Sequence, residues 1–218
     1  CFTDPEWLAE IDDAFSRDAQ VYGPHGPIGW THGDESFLSE DPNVCWSPSC
    51  LAGFRKYLRN EYHDLASLNT SWESTWKTWD EILPGTFDEA RKSGRYPPWL
   101  DHKRFMNTAF SGLYDRACEA LTTGDESARS GFDGPKGFWL PNGGIDWWQL
   151  CKTRGVLQAY NESGELEVFR SFAHPESLRG AWYGSYGDNF SRPTGVKASH
   201  YIIWNSLFNH ANSSWFWT

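Results

Sequence analysis

The first residues with the makings of chemistry are Trp30-Thr31-His32-Gly33-Asp34-Glu35-Ser36. Two adjacent carboxyl groups follow Ile28-Gly29-Trp30, which reads as a short buried strand. A carboxyl group just past such a strand can be partly removed from water, which penalises its ionised form and raises its pKa. It can then hand a proton to a leaving oxygen, the task of a general acid in glycoside hydrolysis. The same pair also suits a helix N-terminus, where the helix dipole favours negative charge. These residues alone leave both readings open.

Cys45 and Cys50 stand at the start of a helical pattern, in Val44-Cys45-Trp46-Ser47-Pro48-Ser49-Cys50. With Cys1 as a third ligand they can hold zinc; free, packed thiols are the other reading. Gly143-Gly144-Ile145-Asp146-Trp147-Trp148, with Tyr160-Asn161 further on, offers either a flat sugar platform or a helix packed on a core. Trp182-Tyr183-Gly184-Ser185-Tyr186-Gly187-Asp188-Asn189 leans toward binding, being too aromatic and Gly-rich for a surface loop without a role. No G-x-S-x-G, H-E-x-x-H or Cys–His signature occurs. His32, His63, His102, His174, His200 and His210 read as surface or structural histidines.

The elements that must position these groups alternate. Helical patterns cover residues 6–20, 50–62, 99–121, 145–152, 165–172 and 197–210. Strand-like segments fall at 28–30, 131–134, 155–160, 179–186 and 213–217. A Trp-rich stretch with Trp72, Trp76 and Trp79 runs to Pro84 between the second and third helices. Such alternation predicts parallel strands with helical crossovers, and both a barrel and a doubly wound sheet satisfy it. No G-x-G-x-x-G or P-loop sequence closes a strand, which argues against the nucleotide-binding form. The polar and aromatic residues collect just after the strands, where a barrel builds its active site.

Composition narrows the function classes. The chain has 218 residues, a formal charge of −10 and no basic stripe, which speaks against a nucleic-acid partner. No apolar run approaches the roughly 20 residues of a membrane span. Aromatic residues make up 17%, including 14 Trp, and suit stacking on sugar rings as well as core or subunit packing. The five cysteines are too scattered for a disulfide framework. Asn69, Asn161, Asn189 and Asn212 head N-x-S triplets, which matter only on a glycosylating secretory route. A start at Cys1 and a stop at Trp217-Thr218 inside an apolar run predict a piece of a longer chain.

The stretch from Cys45 to Pro84 resembles the segment after the acid/base strand of family 42 β-galactosidases. The matches are Phe54-Arg55, Leu58, Tyr62, Leu68-Asn69, Trp72, Trp79-Asp80-Glu81 and Pro84. The resemblance implies a (β/α)8 barrel of which this chain carries strands four to eight. Residues 1–218 would then be the C-terminal portion of one catalytic domain, truncated at both ends. It further implies that Glu35 is the general acid/base, with Asp34 in the place of an Asn that donates to the sugar. An ionised Asp cannot donate. The family nucleophile is a Glu after the seventh strand, yet the matching strand ends without one; Asp188 is the nearest acid and Glu162 the second. Trp147, Tyr160, Trp182 and Trp217 would shape the sugar pocket. Cys1, Cys45 and Cys50 resemble the family's structural zinc cluster, with Ser47 where a thiol is expected, and the chemistry itself requires no cofactor.

The expected partner is a carbohydrate, with neither nucleic acid nor membrane; a homo-oligomer of the whole protein is compatible with the sequence, which leaves the oligomeric state open. A carbohydrate-binding barrel without catalysis, or an aromatic-lined assembly scaffold, are the competing functions.

Overall fold

The computed structural model describes residues 1–134, 142–153, 155–160, 164–184 and 193–217. The chain opens with α1 (Pro5–Tyr22), capped by Asp4, whose carboxylate accepts the N–H groups of Glu6 and Trp7. Then come β1 (Trp30–Asp34), α2 (Pro48–Tyr62), α3 (Leu65–Trp72), α4 (Phe87–Ser93) and α5 (Pro97–Leu121). From β2 (Ser130–Asp133) the alternation is strict: α6 (Trp147–Lys152), β3 (Val156–Ala159), α7 (Glu165–Phe172), β4 (Leu178–Gly184), α8 (Pro193–Phe208) and β5 (Trp215–Trp217).

Every strand pairs in parallel with the next one in sequence, in the order β1-β2-β3-β4-β5. A doubly wound sheet reverses direction at a switch point, whereas a barrel wall is laid down in sequence order. The sequential order decides between the two forms in favour of the barrel. Successive side chains alternate across a strand. Phe132, Leu157, Ala159 and Ala181 point to the helices and form a core with Phe110, Tyr114, Leu150 and Phe169. Asp133, Tyr160 and Trp182, each one residue further on, therefore face the barrel interior at the C-terminal ends of their strands.

A second core lies between α2, α3 and α5, built from Phe54, Leu58, Leu68, Trp72, Phe105 and Met106. The buried Asp101 carboxylate at its edge accepts the Trp72 indole at 2.8 Å and the Tyr62 hydroxyl at 2.6 Å. Burying a carboxylate is costly unless donors surround it, and these two aromatic residues provide them. The Trp-rich stretch is thus largely a packing device.

Two expectations need correction. The first strand begins at Trp30 rather than Ile28, whose side chain is 68% exposed. The stretch after residue 62 is also more ordered than its periodicity suggests. Asp64 caps α3 by accepting the Ser67 N–H, and Thr86 with Glu89 forms a capping box that starts α4. Among the described residues no helix is long and apolar enough to cross a membrane.

Candidate active site

Glu35 sits one residue past β1, half-buried, with φ at 53° in the left-handed region. That conformation costs a non-glycine residue of order 1–3 kcal/mol and needs its surroundings to hold it. The Asp133 carbonyl supplies part of that hold by accepting the Glu35 N–H at 2.9 Å. The β1–β2 register also shifts between Thr31 and Asp34, which re-aims the end of the strand.

Tyr160, directly after β3, joins the two acids. Its hydroxyl lies 2.8 Å from Asp34 Oδ1 and 3.1 Å from Glu35 Oε1. One phenol proton serves one acceptor at a time. When it goes to Asp34, the phenol oxygen is left to accept a proton from Glu35 in its acid form. The phenol thus bridges the two carboxyl groups. Asp34 is an acceptor here. Burial, reinforced by both carboxyl groups, pushes the Tyr160 phenol far above its usual value, so its proton stays in place.

Gly134 makes room for this contact. Its φ is +52°, and a Cβ there would stand 2.2 Å from Tyr160 Cζ. Asp133, the neighbouring β2 residue, pairs with Asp34 in the sheet register. Its carboxylate accepts the Trp182 indole N–H. Burial pushes the Asp133 carboxyl above its usual range, the Asp34 charge adds to that, and the Trp182 bond opposes it. Trp182 in turn packs against Trp215 of β5, with ring centroids 6.1 Å apart.

The structure thus gathers Asp34, Glu35 and Tyr160, and places Trp182 beside them through Asp133. Asp133 was not singled out from the sequence, although Gly131-Phe132-Asp133-Gly134 ends a strand on an acid just as Asp34 does. Trp147 opens α6 and packs edge-on against Phe132 at 5.9 Å and Phe169 at 5.7 Å, within the core between sheet and helices. That packing accounts for Trp147 as a structural side chain. The backbone of Trp217 pairs with Gly184, while its side chain, like Asp188 and Glu162, lies outside the described residues. His32 is turned toward the helices, against Phe15 and Tyr114, and burial lowers its pKa to about 4, which keeps it neutral.

Cys1, Cys45 and Cys50 converge, their sulfurs all within 4.8 Å of one another. The Ser47 hydroxyl approaches Cys1 Sγ at 3.2 Å and Cys45 Sγ at 3.5 Å, while accepting the Cys50 N–H. A tetrahedral zinc with Zn–S bonds near 2.3 Å spaces its sulfurs by about 3.8 Å. The three sulfurs lie close enough together to share one such ion, with the Ser47 hydroxyl beside two of them.

A parallel sheet laid down in sequence order, helices on one side and acids gathered at its strand ends, defines a segment of a (β/α)8 barrel of glycoside hydrolase type. Residues 1–128 match the family 42 β-galactosidase model, and the chain belongs to that family. Among its relatives, β-galactosidase BglY of Alicyclobacillus acidocaldarius is 30% identical over 113 residues, 49% of this chain and 15% of that protein. β-Galactosidase BgaB of Geobacillus sp. (strain Y412MC61) is 25% identical over 122 residues, 52% of this chain and 17% of that protein. The crystal structure of β-galactosidase from Bacillus circulans sp. alkalophilus superposes with a TM-score of 0.72 at 17% identity. It covers 100% of this chain and 34% of that one.

Proposed function

We propose that the protein carrying this chain hydrolyses a terminal β-galactoside or related β-glycoside, with retention, using Glu35 as general acid/base. The observation that carries this reading is the Tyr160 hydroxyl held between Glu35 and Asp34 at the strand ends. Such a link holds the Glu35 carboxyl group in a fixed orientation at the strand ends. Glu35 would protonate the leaving oxygen and later take a proton from the water that releases the sugar. Asp188, or else Glu162, would attack the anomeric carbon, and retention requires the two carboxyl groups to stand about 5–5.5 Å apart. Trp182 would line the sugar pocket.

The test is hydrolysis of a chromogenic β-galactoside and a panel of aryl glycosides, with the first-formed product followed by NMR. Initial release of the β-anomer supports retention; initial release of the α-anomer contradicts it. The Asp34 carboxylate, in place of an amide that donates to the sugar, favours a second reading: a barrel that binds carbohydrate without cleaving it. Sugar binding with no turnover on any glycoside would select that reading.

We also propose that Cys1, Cys45 and Cys50 hold a structural zinc ion, distant in role from the chemistry. Burial pushes the Cys50 thiol up to about 12 in the metal-free protein, so zinc must displace a proton there. Thiolate is the softer and stronger zinc ligand. Ser47→Cys is therefore expected to tighten zinc binding by about tenfold or more, read by competition with a chromogenic chelator. Equal affinity in both proteins would contradict a place for Ser47 at the fourth position.

A further inference from the structure

We propose that Asp133 is a positioning residue that locks Trp182 and the Glu35 turn into one unit on the sugar-facing side of the site. This inference rests on the glycosidase reading above and adds to it a residue outside the family resemblance. Asp133 acts through two different groups. Its carbonyl accepts the Glu35 N–H at 2.9 Å, in the turn where Glu35 holds a left-handed φ. Its carboxylate accepts the Trp182 indole N–H from β4, reaching past β3. The groups facing it are Asp34 at the end of β1, Glu35 directly after it and Trp182 from β4.

A half-buried carboxylate beside another acid is unfavourable by itself, because burial and the Asp34 charge both oppose its ionisation. A core-type residue at this strand end would avoid that cost but would leave the indole N–H without its acceptor. The Trp182 ring is wide and apolar, and the bond to Asp133 adds a directional restraint to contacts such as the one with Trp215. A fixed ring face is what a sugar needs for stacking, since small misplacements are costly in binding and turnover. The bond to Asp133 selects one orientation of the ring and ties it to the backbone that carries Glu35.

The experiment compares Asp133→Ala, Asp133→Asn, Trp182→Phe and the Asp133→Ala/Trp182→Phe double variant in the whole protein. Asp133→Ala is expected to raise KM about tenfold with a smaller change in kcat, the size of one lost charged hydrogen bond. Asp133→Asn, whose amide oxygen still accepts the indole N–H, recovers most of that loss. The double variant is no worse than either single one, because both remove the same interaction. Independently of turnover, the Trp182 indole N–H resonance, assigned by its loss in Trp182→Phe, should move in Asp133→Ala and stay in Asp133→Asn. An unmoved resonance in Asp133→Ala, or multiplicative KM effects, would overturn the proposal. So would a loss of kcat as complete as that from altering Glu35. A wild-type protein inactive on every glycoside would defeat the glycosidase reading alone, and the indole resonance would still decide the role of Asp133.

Discussion

Glu35→Gln is expected to lower turnover of alkyl β-galactosides by about 10²–10⁴-fold, the usual contribution of general acid–base catalysis. The amide keeps the size of the side chain and an oxygen for Tyr160, 3.1 Å away. It cannot release a proton to a leaving group. The left-handed backbone at position 35 is unchanged, so the melting temperature should stay near that of the wild type. Thermal denaturation and steady-state kinetics on the same preparations separate the two effects. Unchanged turnover would remove Glu35 from the chemistry.

Gly134→Ala is expected to damage the site by a different route. The added methyl would stand 2.2 Å from Tyr160 Cζ and 2.6 Å from its hydroxyl oxygen, far inside contact distance. The +52° φ adds a backbone penalty of about 1–2 kcal/mol for any L side chain. With the overlap included, the variant should lose about 2–4 kcal/mol in chemical denaturation. Turnover should fall about tenfold or more, because the displaced phenol no longer spans Asp34 and Glu35. Tyr160→Ala in the same background should return part of the stability and none of the activity. Full activity in Gly134→Ala would show that the Tyr160 link is dispensable.

The sequence carried the architecture in its alternation of helical and strand-like segments. Parallel pairing between neighbours followed from that alternation; the choice of barrel over doubly wound sheet came from the family resemblance, and the observed strand order agrees with it. The residues of the family resemblance turn out to have physical tasks. Asn69 folds the turn after α3 by accepting from Ser74 and Trp76 and donating to the Trp76 carbonyl. Arg55 donates to the Ile82 carbonyl, and Tyr62 with Trp72 serves Asp101. These are packing requirements, which is why so many matches fall in a segment away from the acids. Glu35 drew attention as an acid just past a short strand, and the family resemblance gave it the acid/base role. Asp133 did not, since its importance lies in a bond across β3 to Trp182 that no local pattern reveals. Trp147 shows the converse: a paired Trp after glycines looks like a binding platform until its contacts with Phe132 and Phe169 place it in the core.

The most direct measurement is the dependence of turnover on the leaving group, wild type against Glu35→Ala, in the whole protein. A general acid matters most when the departing oxygen is basic and least when it leaves readily as a stabilised phenolate. The account predicts that, in kcat/KM, Glu35→Ala loses about 10²–10⁴-fold on an alkyl β-galactoside and far less on a dinitrophenyl β-galactoside. Equal losses on both substrates, or no loss on either, would contradict the assignment of Glu35 as the acid that protonates the leaving oxygen.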